Sequence, residues 1–503
     1  MTAVLETLAH AGSFAGWVPF FSLVIGLVVG ILVGVLPGLG PLLGVIMAIP
    51  FTFHMDAVSG VALLIGIYQG GSYGGAITAA ILGVPGTPMA AATLLDAHPM
   101  ALKGFASEAV TLSTLGSSVG GFLGGLVLVL TAPALAKIAI GFGPAETFSL
   151  ALLGLTAIAT LSQGSAVKGL LAGLIGLSLA SVGNDPITGF TRFNFGTTYL
   201  EGGITFVALL FGLFAISEVL LQFEKPVRAW QAGARIGVAF STFKTLWTKP
   251  MAYLRSALVG VIIGVIPGIG GVTSSFLSYK LARDFSKHPE NFGKGEVEGV
   301  IASETANSAT TGGALIPMLA IGIPGDPIVA AMMGGLLIQG LTPGPALFFT
   351  NREFLGGIFA AFIVGAILLL PIGLALIPLF VRIIKIPHSL LMATVLLLSI
   401  FGTYAVQRQV FDLWQLWLFG IVGYAMRKGG FPLAPLIIGF VLGPIFETNM
   451  RRATIIMGDD FFGFMIGRPI ALGVMGMVVL SLLFPIAQNL FLRRKGRQAD
   501  QPA

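Results

Sequence analysis

The 503-residue chain carries 27 Lys+Arg and 21 Asp+Glu, so charged residues make up 10 % of it against roughly a quarter in a soluble globular protein. Apolar residues make up 55 %, and glycine, at 70 residues, is about twice its usual share of roughly 7 %. This composition excludes a soluble enzyme, a disordered tail protein and a nucleic-acid binder, and the absence of cysteine excludes disulfide, zinc-thiolate and iron–sulfur chemistry.

Met1 to Trp17 contains Glu6 and no Lys or Arg, so it lacks the positive start of a cleavable signal peptide and the first span is expected to be retained. Apolar runs follow at 7–55, 57–95, 109–136, 147–167, 169–184 and 202–223, the last interrupted by Glu218. The next are 256–279 and 299–325, the latter interrupted by Glu304, and then 327–351, 354–381, 386–407, 413–426, 429–446 and 469–492. A span needs about 20 mostly apolar residues, and backbone inside lipid must bond internally. The expected class is an all-α polytopic membrane protein with about 10–12 crossings, some of them broken or re-entrant.

Loop charges suggest an orientation. Lys225, Arg228, Arg235, Lys244, Lys249 and Arg255 share one loop, Lys280, Arg283, Lys287 and Lys294 the next, and Arg493, Arg494, Lys495 and Arg497 the tail. All three read as cytoplasmic, so 256–279 starts and ends on one side and reads as a bent hairpin around Pro267-Gly268. The net charge of +6 is thereby a matter of topology.

The chain also repeats itself. GILVGVLPGLG (30–40) and GVIIGVIPGIG (260–270) agree at six of eleven positions, the rest being Val/Ile/Leu swaps. GGAITAAILGVPGTP (74–88) then matches GGALIPMLAIGIPGDP (312–327) after one inserted residue. Four spans separate the first copy from the basic loop, so the copies are expected to have opposite orientations, as in many secondary transporters. The expected organisation is 1–108 first repeat, 109–224 connecting spans, 225–255 basic amphipathic segment, 256–350 second repeat, 351–492 further spans and 493–503 basic tail.

Pro-Gly breaks free backbone groups that lipid cannot satisfy, and such breaks are tolerated where they line a cavity. The freed N–H groups at a helix start suit an anion, and freed carbonyls suit Na⁺ or a proton carrier. Candidate substrate positions are Ser72, Tyr73, Gly74, Gly75, Thr78, Gly86 and Thr87 in the first copy, and Asn307, Ser308, Thr310, Thr311, Gly312 and Gly325 in the second. Candidate cation positions are Gly38, Gly40, Gly268, Gly270, Ser303, Glu304, Asn307 and Asp326. Packing and interhelical hydrogen bonding are the competing reading for each. Asp326 reads equally as a cation ligand or a helix cap, and Glu304 as a cation or proton holder or the partner of a loop Lys. Glu218 reads as interfacial. His54, His98, His288 and His388 show no ligand spacing, so no metal is expected beyond a transported Na⁺, and no cofactor.

GVLPGLG, QGGSYGGAITAAILGVPGTP, GVIPGIGG, ASETANSATTGGALIPMLAIGIPGDP and IQGLTPGP together resemble the large membrane subunit of the tripartite tricarboxylate transporter family. The resemblance implies a bacterial inner-membrane secondary transporter, not an enzyme, that takes up citrate-type carboxylates on a Na⁺ or H⁺ gradient. It implies two partners, a small membrane subunit and a periplasmic solute-binding protein. It also implies distant kinship with transporters that move a transport domain past a fixed scaffold. Two other readings compete with this one. A passive anion channel would equally use broken helices, and an intramembrane aspartyl protease is disfavoured because Asp326 has no second intramembrane Asp in the sequence.

Overall fold

Proline and glycine decide where the helices stop. The computed structural model is described for residues 10–161, 165–224, 236–383, 388–458 and 467–483. The first apolar run divides into α1 (Trp17–Val35) and α2 (Gly40–Thr52), followed by α3 (Ala57–Leu82), α4 (Ala91–Leu102) and α5 (Ala106–Ala139). Next come α6 (Pro144–Leu161), α7 (Ala166–Ala180), a small hairpin of β1 (Gly183–Asn184) and β2 (Thr191–Arg192), and α8 (Phe206–Glu224), which includes a π-helical turn at Phe211–Ile216. The second copy supplies α9 (Pro250–Val265), α10 (Gly270–Asp284), α11 (Val297–Ile321) and α12 (Pro327–Ile338). After these come α13 (Arg352–Ile383), α14 (His388–Gln407), α15 (Val410–Lys428), α16 (Ala434–Met457) and α17 (Pro469–Leu483).

Among the described residues, five helices are long and apolar enough to cross a membrane: Trp17–Val35, Ala106–Ala139, Phe206–Glu224, Arg352–Phe380 and Ser389–Gln407. Five shorter apolar helices, such as Gly40–Thr52 and Pro327–Ile338, accompany them. The chain is a multi-pass helical membrane protein.

The two copies break in the same way. Leu36 leaves α1 at φ −87°, ψ 110°, and Ile266 leaves α9 at φ −83°, ψ 113°. Gly38 and Gly268 then take φ 93° and 87°, and Gly40 and Gly270 take 69° and 66°, a region open to glycine and strained for residues with a side chain. The second break in each copy also ends on a left-handed glycine, Gly83 at φ 69° and Gly322 at φ 76°. Pro88 and Pro327 open the helical segment that follows, where a missing N–H costs nothing.

The chain divides into two compact units. The first comprises Met1–Ile140 with Thr205–Tyr424. Within it, Gly26, Gly30 and Gly34 of α1 face the carbonyls of Leu63, Ile67 and Gly71 on α3, while Gly66, Gly70 and Gly74 of α3 face those of Leu23, Leu27 and Ile31, with no room for a Cβ on either side. This is the small-residue interface expected of helices that must pack without a hydrophobic driving force. Every residue of α11 from Gly299 to Ala320 is buried, so its polar side chains must find partners inside the protein. Gly120 and Gly124 of α5 rest on its backbone at Thr305 and Ala309, and Gly260 and Gly264 of α9 at Ala306 and Thr310.

Of the expected basic segment 225–255, residues 225–235, with Lys225, Arg228 and Arg235, lie outside the described residues, as does the 493–503 tail with Arg493, Arg494, Lys495 and Arg497. The remainder forms short helical turns at Phe240–Lys244 and Thr245–Thr248 that lead into α9. Backbone N–H groups of Gly237 and Ala239 bond to Ser107 and Thr111 of α5, and Lys249 pairs with Glu298 at 2.6 Å.

The second unit comprises Gly141–Ile204 with Ala425–Ala503. Here Gly176 of α7 meets the Leu436 carbonyl of α16, and Gly439 meets that of Gly173. Arg192 of the hairpin forks onto both Glu447 oxygens at 2.5 and 3.0 Å, and Arg451 reaches Asp185 at 2.7 Å. The Arg451 hydrogen bond, with the N–H groups of Ile187 and Thr188, holds the Asp185 carboxyl well below the ordinary carboxylate range.

Candidate functional site

The second break of the first copy, the first break of the second copy and the middle of α3 meet at Asn307. Its Nδ2 donates to the Ser72 carbonyl at 2.9 Å, while its Oδ1 has no hydrogen-bond partner and lies where a Cβ on Gly271, at the start of α10, would be 2.9 Å away. The Met89 sulfur borders the same position, 3.1 Å from that Cβ. Ser72 Oγ, Thr87 Oγ1 and Ser308 Oγ, on α3, after the second break of the first copy and on α11, are also buried and without hydrogen-bond partners. Buried polar groups in proteins are nearly always satisfied, so these bare hydroxyls and the amide oxygen make the segments flanking the breaks candidates for contact with a ligand.

The breaks shape this place. The Gly86 N–H donates to the Gly75 carbonyl at 3.2 Å, which folds the Pro85-Gly86 turn back against α3. Gly75 must lack a side chain because a Cβ there would sit 2.7 Å from the Thr87 nitrogen. Thr78 donates back to the same Gly75 carbonyl at 3.2 Å. In the second copy, the Gly268 N–H donates to the Gly325 carbonyl at 2.9 Å, joining its two breaks directly, and Gly325 is wedged against Ala314 and Gly264.

Other candidate residues go elsewhere. Thr310 donates within α11 to Ala306 and lies 2.6 Å from Ser274 of α10, and Thr311 turns back to the Ser308 carbonyl. Tyr73 meets Thr114 of α5 at 2.6 Å. Gly74 and Gly312 serve helix contact, against α1 and against Gly124 of α5. Gly38, Gly40, Gly268 and Gly270 act through their backbone angles.

Asp326 caps α12 by accepting the Val329 N–H at 2.8 Å, and its other oxygen accepts the hydroxyl of Tyr68 from α3. Thr87, its counterpart in the first copy, caps nothing with its side chain. Glu304 accepts from Ser117 of α5 at 2.8 Å, lies 2.5 Å from Thr93 Oγ1 of α4 and is fully buried. Ser303 lies 3.0 Å from the same Thr93 hydroxyl. No loop Lys pairs with Glu304 among the described residues.

Sequence reasoning did not single out Tyr68, Thr93, Ser117 or Asp96. Asp96 is fully buried, accepts the N–H groups of Gly295 and Glu296 at 2.7 and 2.8 Å and the Tyr279 hydroxyl at 2.8 Å, and so ties α4 to the start of α11. Its signal was available: a lone carboxylate directly after a long uncharged run. Among the described residues no Lys, Arg or His is buried, whereas Asp96, Glu304 and Asp326 are. An apolar cleft of about 370 Å³ is lined by Ile25, Val29, Val33, Met47 and Phe51 among others, and the Ser22 hydroxyl in its lining donates to the Val18 carbonyl.

These features define a multi-pass membrane protein whose helices are broken at Pro-Gly pairs and which buries polar side chains beside the breaks. Residues 20–438 match the tripartite tricarboxylate transporter TctA family, and the chain belongs to that family, a family of transporter permease subunits and not of enzymes. The uncharacterized 52.8 kDa protein of the TAR-I ttuC' 3' region of Agrobacterium vitis is 37 % identical over 448 residues, 87 % of this chain and 88 % of that protein. An uncharacterized protein of the TAR-II ttuC' 3' region of the same organism is 38 % identical over 228 residues, 44 % of this chain and 94 % of its own length. No solved structure matches the chain.

Proposed function

We propose that the chain is the permease of a secondary active uptake system that couples entry of a tricarboxylate or related carboxylate to Na⁺ or H⁺ in a bacterial inner membrane. The observation that carries this reading is a set of buried hydroxyls without hydrogen-bond partners on segments flanking the breaks, Ser72 Oγ, Thr87 Oγ1 and Ser308 Oγ. The equally bare Asn307 Oδ1, an acceptor suited to a cation or a protonated group, lies beside Gly271. Hydroxyls and helix-start N–H groups recognise carboxylate oxygens without a buried cation. Buried Glu304 and Asp326 nearby would repel an anion, and a co-transported cation removes that repulsion. Coupling is thus favoured by the charges themselves.

In this reading the copies are inverted repeats, and their broken helices form a domain that alternates between the two membrane faces. A small membrane subunit and a periplasmic solute-binding protein complete the system, the latter delivering substrate. Reconstitution of all three components in proteoliposomes tests it, with labelled citrate as the first probe and a panel of di- and tricarboxylates behind it. Accumulation driven by a Na⁺ or H⁺ gradient is expected. Flux that only equilibrates, indifferent to either gradient, would make the protein a channel.

A further inference from the structure

Glu304 is the eighth of the 25 residues of α11, beyond the first turn in which a helix N-terminus stabilises a charge, and has no exposed surface. The groups that approach its carboxyl are hydroxyls from two other helices, Thr93 Oγ1 of α4 at 2.5 Å and Ser117 Oγ of α5 at 2.8 Å. The titratable groups on the surrounding elements are engaged elsewhere or exposed: on α9, Arg255 lies over the Phe285 ring at 5.5 Å and the Tyr253 hydroxyl meets Thr245 at 2.8 Å. On α4, Asp96 is engaged by Gly295, Glu296 and Tyr279, and His98 is turned to the Ala80 carbonyl at 3.1 Å. On α3, Tyr73 is taken by Thr114. On α10, Tyr279 is bonded to Asp96, while Lys280 and Arg283 are exposed. On α5, Lys137 is exposed and Glu108 lies in the first turn; on α11 itself, Glu298 pairs with Lys249 of the segment leading into α9.

The hydroxyl protons around the carboxyl can close into a chain when it is neutral. Thr93 has one hydroxyl proton and two oxygens within reach, Glu304 Oε1 and Ser303 Oγ, the latter at 3.0 Å. The Ser303 proton is already committed to the Gly299 carbonyl at 2.9 Å. When Glu304 carries a proton, the chain closes: Glu304 O–H donates to Thr93, Thr93 to Ser303, Ser303 to Gly299, and Ser117 donates to the free Glu304 oxygen. When Glu304 is ionised, Thr93 turns its proton from Ser303 to the carboxylate, and two neutral hydroxyls with no cation then hold a charge at this depth, which burial disfavours.

We propose that Glu304 is the proton carrier of the transporter, neutral while Thr93 and Ser117 enclose it and ionised when those helices part and water enters. The step is Glu–COOH + H₂O → Glu–COO⁻ + H₃O⁺, with no other reactant. Asn307 follows one helical turn later, about 5 Å along the axis, so an anion bound there meets a neutral Glu304 or pays like-charge repulsion. The inference rests on the carboxylate-permease reading and deepens it by naming H⁺ and the group that holds it.

Infrared difference spectra of the full chain in lipid, wild type against Glu304→Gln, test the protonation state without any substrate. A protonated-carboxyl C=O band at neutral pH that vanishes in Glu304→Gln is expected, as is a shift of that band in Thr93→Val. No band lost in Glu304→Gln would overturn the proposal. In proteoliposomes holding the complete system, Glu304→Gln is expected to lose pH-gradient-driven citrate accumulation while keeping citrate exchange, since glutamine mimics the neutral acid. Gradient-driven accumulation at the wild-type level in that variant, or a wild-type system driven by Na⁺ alone, overturns proton carriage and leaves the permease reading standing. A wild type that exchanges none of the carboxylates in the panel defeats the permease reading, while the spectra still decide Glu304.

Discussion

The Asn307 amide of the second copy donates to the backbone carbonyl of Ser72 in the first, 235 residues away, and leaves its own oxygen bare. One half of the side chain thus fixes the two copies together, and the other half is available to a ligand.

Asn307→Ala removes both functions. Uptake is expected to be abolished, while stability falls by only about 1 kcal/mol for the lost hydrogen bond. Carboxylate uptake in proteoliposomes and melting in detergent measure the two effects separately. Wild-type uptake in this variant would displace the site from this position.

Asp326 and Tyr68 form a second bridge between the copies. Asp326→Ala deletes the α12 cap, costing about 1 kcal/mol, and also strands the Tyr68 hydroxyl, costing about 1–3 kcal/mol more. Tyr68→Phe removes only the bridge and is expected to cost less. The double variant should be less destabilised than the sum of the single variants, and additive melting shifts would show that the two residues act independently.

Backbone contact leaves no room at Gly264, where a Cβ would lie 2.7 Å from the Thr310 carbonyl. Gly264→Ala is expected to destabilise the protein by about 1–3 kcal/mol, as overpacking does. Gly473→Ala, where a Cβ meets nothing within 4 Å, should melt as the wild type does. Equal melting temperatures for the two variants would contradict the close approach of α9 to α11.

Acid should loosen the hairpin of the second unit. The Asp185 carboxyl is depressed in the folded protein, so its stabilising contribution is complete above the ordinary aspartate value of 3.8 and is lost as pH falls below that value through the folded one. Amide exchange at Ile187 and Thr188, corrected for its intrinsic pH dependence, is expected to rise on acidification below about pH 4. In Asp185→Asn that rise should be absent, and the loop less protected at neutral pH.

Much of the backbone was legible because Pro and Gly act locally. The Pro37-Gly38 and Pro267-Gly268 pairs announce helix ends, and α1 and α9 stop at Val35 and Val265. The choice between Asp326 as ligand and as cap was not legible, because the Tyr68 hydroxyl that joins the Val329 N–H comes from another part of the chain. Glu304 stood out as a charge in apolar sequence, yet Thr93 and Ser117, 211 and 187 residues away, look like ordinary helix residues until the fold brings them to it. The 183–192 hairpin gave no warning either, since its strands are two residues each and too short for an alternating pattern.

The glycine rows of α1 and α3 have a mechanical consequence. Helices that touch backbone to backbone hold no side chains between them that could change rotamer and let one slide along the other. The pair is therefore a single stiff strut, and any rearrangement that carries cargo must bend or shift the protein somewhere other than along this seam.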